Sequence, residues 1–186
     1  RRTLDGRVWE GLLPKSRVTT YFLDCPTLFD RDGLYQAQGN DHPDNLERFS
    51  WFAQAALTML RALAWQPDVV HCHDWQSALA CAHLRDGSLG QDPFFGGMGS
   101  VLTIHNLAYQ GVFPKEQWPA TSLPDGAFSI DGLEFYGQVN CLKGGLVCAG
   151  LLTTVSPTYA REIQTPEFGC GLDGVLRMRR DEFVGI

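Results

Sequence analysis

Asp68-Val69-Val70-His71-Cys72-His73-Asp74-Trp75 is a short apolar run, opened after Pro67, that turns polar at its far end. Its length and paired valines predict a short buried strand over Asp68 to His73. The residues before it repeat at a different period. Phe49, Phe52, Ala53, Ala56, Leu57, Leu60 and Leu63 recur at helical spacing from Glu47 onward, which predicts an amphipathic helix ended by Pro67. After it, Gln76 to Leu84 reads as a second helix. A glycine-rich connection from Gly87 to Gly99 then leads to a second buried strand, Ser100-Val101-Leu102-Thr103-Ile104-His105. Strands alternating with helices in this order imply βαβ units, hence an α/β fold with a mostly parallel sheet flanked by helices.

The flanking sequence adds elements to both sides. Arg17 to Leu23 is β-branched and aromatic and predicts a strand; Asp30-Arg31-Asp32-Gly33 predicts a turn. The polar stretch from there through Asn45 is a long loop, and such loops in compact domains are more often functional than idle. Leu107 to Asp131 is irregular, with room for short helices. Asn140 to Ala149 reads as helix despite Gly144 and Gly145, and Leu151 to Val155 as strand. Ser156-Pro157 opens a helix with a capping serine and a proline in its first turn. Asp181 to Ile186 looks like a strand still forming, and Arg1-Arg2-Thr3-Leu4-Asp5 has neither an initiator Met nor a signal-peptide apolar region. The expectation is a piece of a longer protein, cut at both ends.

The 186 residues suit one domain, and a hydrophobic share of 44% with 19% charged residues is ordinary for a globular chain. A net charge of -6 argues against nucleic-acid or anionic-membrane partners, which need concentrated positive charge. No apolar stretch approaches the roughly 20 residues that cross a bilayer. The six cysteines have no secreted-framework spacing and read as small buried thiols, Cys141 and Cys148 on one helix; that points to a reducing compartment.

Two strand ends carry the chemistry. Ligands of open parallel sheets bind outside the carboxyl ends of the strands, where His71-Cys72-His73-Asp74-Trp75 and His105-Asn106-Leu107-Ala108-Tyr109-Gln110-Gly111 fall. His71 and His73 share a strand face, but no third ligand has zinc-site spacing, so no metal is expected. Structural hydrogen bonding and a substrate-facing His73-Asp74 pair both remain open. His105 is either a core histidine or the head of a run of hydrogen-bonding groups beside an aromatic, a chemistry suited to sugar hydroxyls. No dinucleotide fingerprint or nucleophile elbow is present. Glu167 to Gly174 holds three glycines in a tight loop, either a plain turn or a place where backbone approaches a ligand.

Six runs in order resemble bacterial glycogen synthases and plant starch synthases. They are His71 to Trp75, Thr103 to Gly111, Gly132-Leu133-Glu134-Phe135-Tyr136-Gly137, Thr154 to Ile163, Asp44-Asn45-Leu46-Glu47-Arg48-Phe49, and Pro166 to Gly174. The resemblance implies a GT-B glycosyltransferase of two Rossmann-like domains, of which residues 1 to 186 are part of the N-terminal, acceptor-side one. Such enzymes transfer glucose from ADP-glucose to the non-reducing end of an α-1,4-glucan with retention, using no cofactor or metal. It further implies that His105 lies against the transferred glucose with its carbonyl near the reacting carbon, and that Asp74 is an active-centre acid. Tyr35 and Gln76 match the acceptor side, followed by Asn106, Tyr109 and Gln110. The family's Lys-x-Gly-Gly-Leu loop and nucleotide-binding domain are not in these residues, so the chain alone is expected to be inactive. Gly150 stands where Ala-Asp is usual. A sucrose- or trehalose-type synthase is disfavoured by the runs at His105 and Ser156; a non-catalytic glucan-binding module would show binding without transfer. Cytoplasm and plastid stroma both fit.

Overall fold

The computed structural model describes residues 4–87 and 89–186. In chain order the elements are β1 (Arg7–Leu12), β2 (Thr19–Asp24), α1 (Pro26–Phe29), β3 (Gln36–Ala37), β4 (Asn40–Asp41), α2 (Asn45–Ala62), β5 (Val69–His73), α3 (Asp74–Arg85) and β6 (Gly99–Ile104). They continue with β7 (Val112–Pro114), β8 (Glu134–Phe135), β9 (Gln138–Asn140), α4 (Cys141–Cys148), β10 (Leu151–Thr154), α5 (Pro157–Glu162), α6 (Asp173–Met178) and β11 (Phe183–Gly185). Short 3₁₀ turns at Lys115–Thr121, Asp125–Ala127 and Arg180–Glu182 fill the connections.

The centre is a four-stranded sheet in the order β11-β10-β6-β5, every pair parallel. Each parallel step needs a crossover, which α3, α4 and the α5–α6 segment provide. Helix α3 packs on α4, with α2 against α3 and α6 against α4; α5 lies against β10 and β11. The core runs through Leu102, Ile104, Leu142, Leu146 and Leu152, all fully buried. Burying each such side chain stabilises the fold by about 2 kcal/mol.

Several expectations are corrected. β5 is not a buried strand: of its residues only Cys72 is buried, because β5 forms the end of the sheet and pairs on one side alone. The strand expected over Arg17 to Leu23 begins at Thr19 and stays out of the parallel sheet. It pairs antiparallel with β1, which the sequence did not announce, since Arg7 to Leu12 mixes charge and glycine with exposed apolar residues. Helix α2 ends before Pro67 acts: Ala64 adopts φ +49 and the Trp65 N–H bonds back to the Leu60 carbonyl, closing the last turn. Five cysteines are buried free thiols as expected, whereas Cys170 is exposed. At the start of α5, Ser156 Oγ does cap the helix, accepting from the Tyr159 N–H at 3.0 Å.

His83 on α3 is 2% exposed, and its Nε2 has no hydrogen-bond partner among the described residues. Burial pushes its pKa down from 6.5 to about 4, the Thr121 backbone opposing weakly. The folded value lies below the unfolded one, so the unfolded chain gains the proton first as pH falls through that window. Stability is full above pH 6.5 and declines towards pH 4, by about 3 kcal/mol at 1.36 kcal/mol per unit. His83→Leu is expected to flatten the urea-midpoint curve over this range; an unaltered acid limb would refute the assignment.

Candidate active site at the strand ends

Parallel pairing sets His73 of β5 beside Thr103 of β6, which brings the end of β5 next to His105. His73 Nδ1 lies 3.0 Å from His105 Nε2, so one imidazole donates to the other. The His71 ring stacks 4.3 Å from that of His73, and its Nε2 lies 2.7 Å from Thr103 Oγ1. That hydroxyl lies in turn 2.6 Å from Thr153 Oγ1 on β10. His71 is held by the hydroxyls of the sheet, while His73 engages His105. Burial first, then the neighbouring His71 and His105, push the His73 pKa below its ordinary value, with Asp74 opposing.

Asp74 opens α3 with φ +53, a left-handed conformation that side chains other than glycine adopt rarely. Its Oδ1 accepts the His105 backbone N–H at 2.8 Å. The residue before it is clamped by one hydroxyl: Ser77 Oγ accepts the His73 N–H at 2.6 Å and donates to the His73 carbonyl at 2.7 Å. Backbone strain of this kind persists where the surroundings over-determine it, commonly at functional turns.

A cleft of about 890 Å³ opens in front of these turns, lined by Tyr35, Asp74, Gln76, Asn106, Tyr109 and Gln110 among others. Six of the seven residues singled out in the sequence therefore share one cavity; His105 is tied to it through Asp74. Gln76 Nε2 donates to the Tyr35 hydroxyl at 3.0 Å, joining α3 to the long loop. Trp75 supplies an aromatic floor, with Phe113, Phe49 and Tyr35 packed around it. Asn106 Oδ1 is turned back on its own loop, accepting the Ala108 N–H at 3.0 Å, and Tyr109 is 68% exposed. Gln110 is buried, and both ends of its amide are occupied: Nε2 donates to the Cys170 carbonyl at 3.0 Å, and Oε1 accepts from Asn140 Nδ2 at 2.7 Å. It shapes the wall by holding the Cys170 loop. A second groove of about 560 Å³ between β1, α2 and Pro119–Ser122 shares no lining residue with this cleft and gathers none of the strand-end groups.

Residues quoted in the sequence only as members of family-like runs, with no role assigned, hold the wall in place. Arg48 is 2% exposed and donates Nε to the Leu28 carbonyl at 2.8 Å and Nη1 to the Leu34 carbonyl at 2.9 Å, fixing the loop that delivers Tyr35. Its guanidinium sits between the rings of Phe29 and Phe49, 5.1 and 5.4 Å from their centroids. Asn45 Nδ2 adds a bond to the Tyr35 carbonyl at 2.9 Å. An arginine within an aromatic helical face was the available signal. Gly111 has φ +63, and a Cβ there would fall 2.4 Å from the Trp75 ring, so only glycine lets the polar run turn beneath the indole. The Tyr159 hydroxyl accepts the Leu107 N–H at 3.0 Å, which gives the run after Ser156 its place in the site.

A parallel α/β sheet flanked by helices, with a polar, aromatic-floored cleft at its strand ends, defines a Rossmann-like domain. The model of the starch synthase catalytic domain matches residues 4–178, and the chain belongs to that family. It is 45% identical over 181 residues to a glycogen synthase of Syntrophotalea carbinolica, covering 97% of this chain and 37% of that protein. It is 46% identical over 187 residues to glycogen synthase 2 of Geobacter sulfurreducens, covering 99% of this chain and 38% of that one. The chain thus spans less than two fifths of the length of these relatives. Among solved structures, the catalytic domain of starch synthase IV from Arabidopsis thaliana, bound to ADP and acarbose, superposes with a TM-score of 0.85 at 29% identity. That likeness covers 97% of this chain and 36% of the plant one.

Proposed function

We propose that this chain forms the acceptor-side wall of a retaining glucosyltransferase that moves glucose from ADP-glucose to the non-reducing end of an α-1,4-glucan. The observation that carries the reading is the joint between β5 and β6, where the carboxylate of Asp74, which lines the cleft, pins the His105 main chain. In the proposed mechanism the His105 side chain bonds a hydroxyl of the transferred glucose. Its carbonyl faces the reacting carbon, where positive charge develops in an oxocarbenium-like transition state. A fixed dipole aimed at developing charge needs no reorganisation during the reaction, and the bond to Asp74 holds it in register. Tyr35 and Gln76, bonded to each other, form the acceptor shelf with Trp75 beneath. Nucleotide binding is assigned to residues outside these 186.

Among the described residues, no helix is long and apolar enough to cross a membrane. The bacterial sources of the relatives and the six free thiols support a reducing bacterial cytoplasm as its setting.

Calorimetric titration with maltopentaose tests the acceptor wall directly. Binding is expected to weaken about tenfold in Tyr35→Ala, since truncating an aromatic anchor commonly costs more than about 1 kcal/mol. Absence of binding, or an affinity untouched by that substitution, would overturn the proposal.

A further inference from the structure

Gly132-Leu133-Glu134-Phe135-Tyr136-Gly137 has no part in the cleft described above, yet its backbone is unusual. β8 and β9 pair antiparallel through a two-residue turn, Tyr136-Gly137, with φ +49 and +80. Positive φ at both positions is the shape of a type I′ turn, which favours Asn, Asp or Gly in first place. A tyrosine there is strained, and its side chain gains no burial in return, being 83% exposed.

The surroundings hold this conformation firmly. Glu134 Oε1 accepts the Gly137 N–H at 2.7 Å. Buried Lys143 donates Nζ to the Glu134 and Ile130 carbonyls, each at 2.6 Å. On the outer side, a Cβ on Gly171 would fall 3.0 Å from Phe135 Cζ and 3.9 Å from Tyr136 Cε2, so the Gly171 backbone abuts both rings. Gly171 follows Cys170, which lines the cleft and whose carbonyl is held by Gln110. An exposed aromatic ring is thus fixed at the outer rim of the cleft, on a rigid turn.

We infer that Tyr136 is a stacking platform that continues the glucan track beyond the cleft, an inference that rests on the glucan reading above. A glucose ring has an apolar C–H face and hydroxyls around its edge, so a flat ring with a polar tip takes the face and leaves the hydroxyls in water. Strain concentrated at a solvent-facing side chain fits a ligand contact, because it contributes nothing to the core.

The experiment compares maltotriose with maltoheptaose, titrated into the wild-type chain, Tyr136→Asn and Tyr136→Phe. Asn suits the turn, so Tyr136→Asn is expected to unfold no earlier than wild type. It is expected to lose about fivefold in affinity for maltoheptaose and less than about twofold for maltotriose. Tyr136→Phe, which keeps the ring, is expected to bind both like wild type. Equal losses for the two lengths, or none for either, would overturn the role of Tyr136 while leaving the cleft assignment intact. Failure of the wild-type chain to bind either oligosaccharide would overturn the glucan reading and this inference with it. Loss confined to a protein contact, with both affinities unchanged, would assign the ring to a partner surface instead.

Discussion

In a full-length protein of the starch synthase family that contains this chain, the proposed role of His105 predicts that His105→Ala slows glucosyl transfer about a hundred- to a thousandfold. The substitution removes the imidazole's proposed bond to a hydroxyl of the transferred glucose, and losing one preorganised hydrogen bond at a reacting centre costs about that much in turnover. Alanine retains the backbone carbonyl and its Asp74 anchor, so the expected loss isolates the imidazole. The fold should survive, since His105 is exposed and its ring bonds His73 at the open end of the sheet. The KM for glucan should stay within about threefold, because the interaction belongs to the transition state more than to the ground state. Turnover within tenfold of wild type would remove His105 from the reaction centre.

The largest expected effect on stability is at Gly145. A Cβ there would fall 2.7 Å from Ala78 Cβ and 2.8 Å from Leu102 Cδ2, and one on Gly144 would fall 2.5 Å from Leu133 Cγ. Gly145 is what lets α4 lie against α3 and β6, while Gly144 makes room for Leu133 ahead of β8. Glycine within a helix costs about 1 kcal/mol relative to alanine, and the close approach offsets that cost. Gly145→Val is expected to destabilise by about 4 kcal/mol, since three added carbons must displace fully buried neighbours in a close-packed core. Gly145→Ala should cost less, because the gain in helix propensity opposes the overlap. A denaturant-midpoint loss below about 1 kcal/mol for the valine variant would show that α4 can move away freely.

The strands of the parallel sheet and its larger helices were legible from period, residue type and capping, whereas β1, α1, β3, β4, β7, β8, β9 and α6 were not. Apolar spacing located α2 because a helix against a core must repeat its apolar face, and the Ser156-Pro157 pair marked the start of α5 through capping chemistry. The strand-end location of the site followed from the same pattern, since polar residues directly after an apolar strand face the cleft of a parallel sheet. Gln110 shows where that reasoning stops. Its type and position suit a sugar contact, but its amide is spent on Cys170 and Asn140, which lie 60 and 30 residues further along the chain. Arg48 shows the converse: a charge on a helix reads as solvated until the loop carbonyls that surround it are known.

By itself the sequence determined an α/β chain with two polar strand ends, because side-chain period and local turn chemistry act over a few residues. The tertiary structure alone decided that β5 is an edge, that β1 and β2 form a separate hairpin, and that His73 meets His105 across 32 positions. It also decided that a glycine pair is a contact surface and that Tyr136 faces solvent. Those outcomes depend on which surfaces close against each other after long connections, and no local period records that choice.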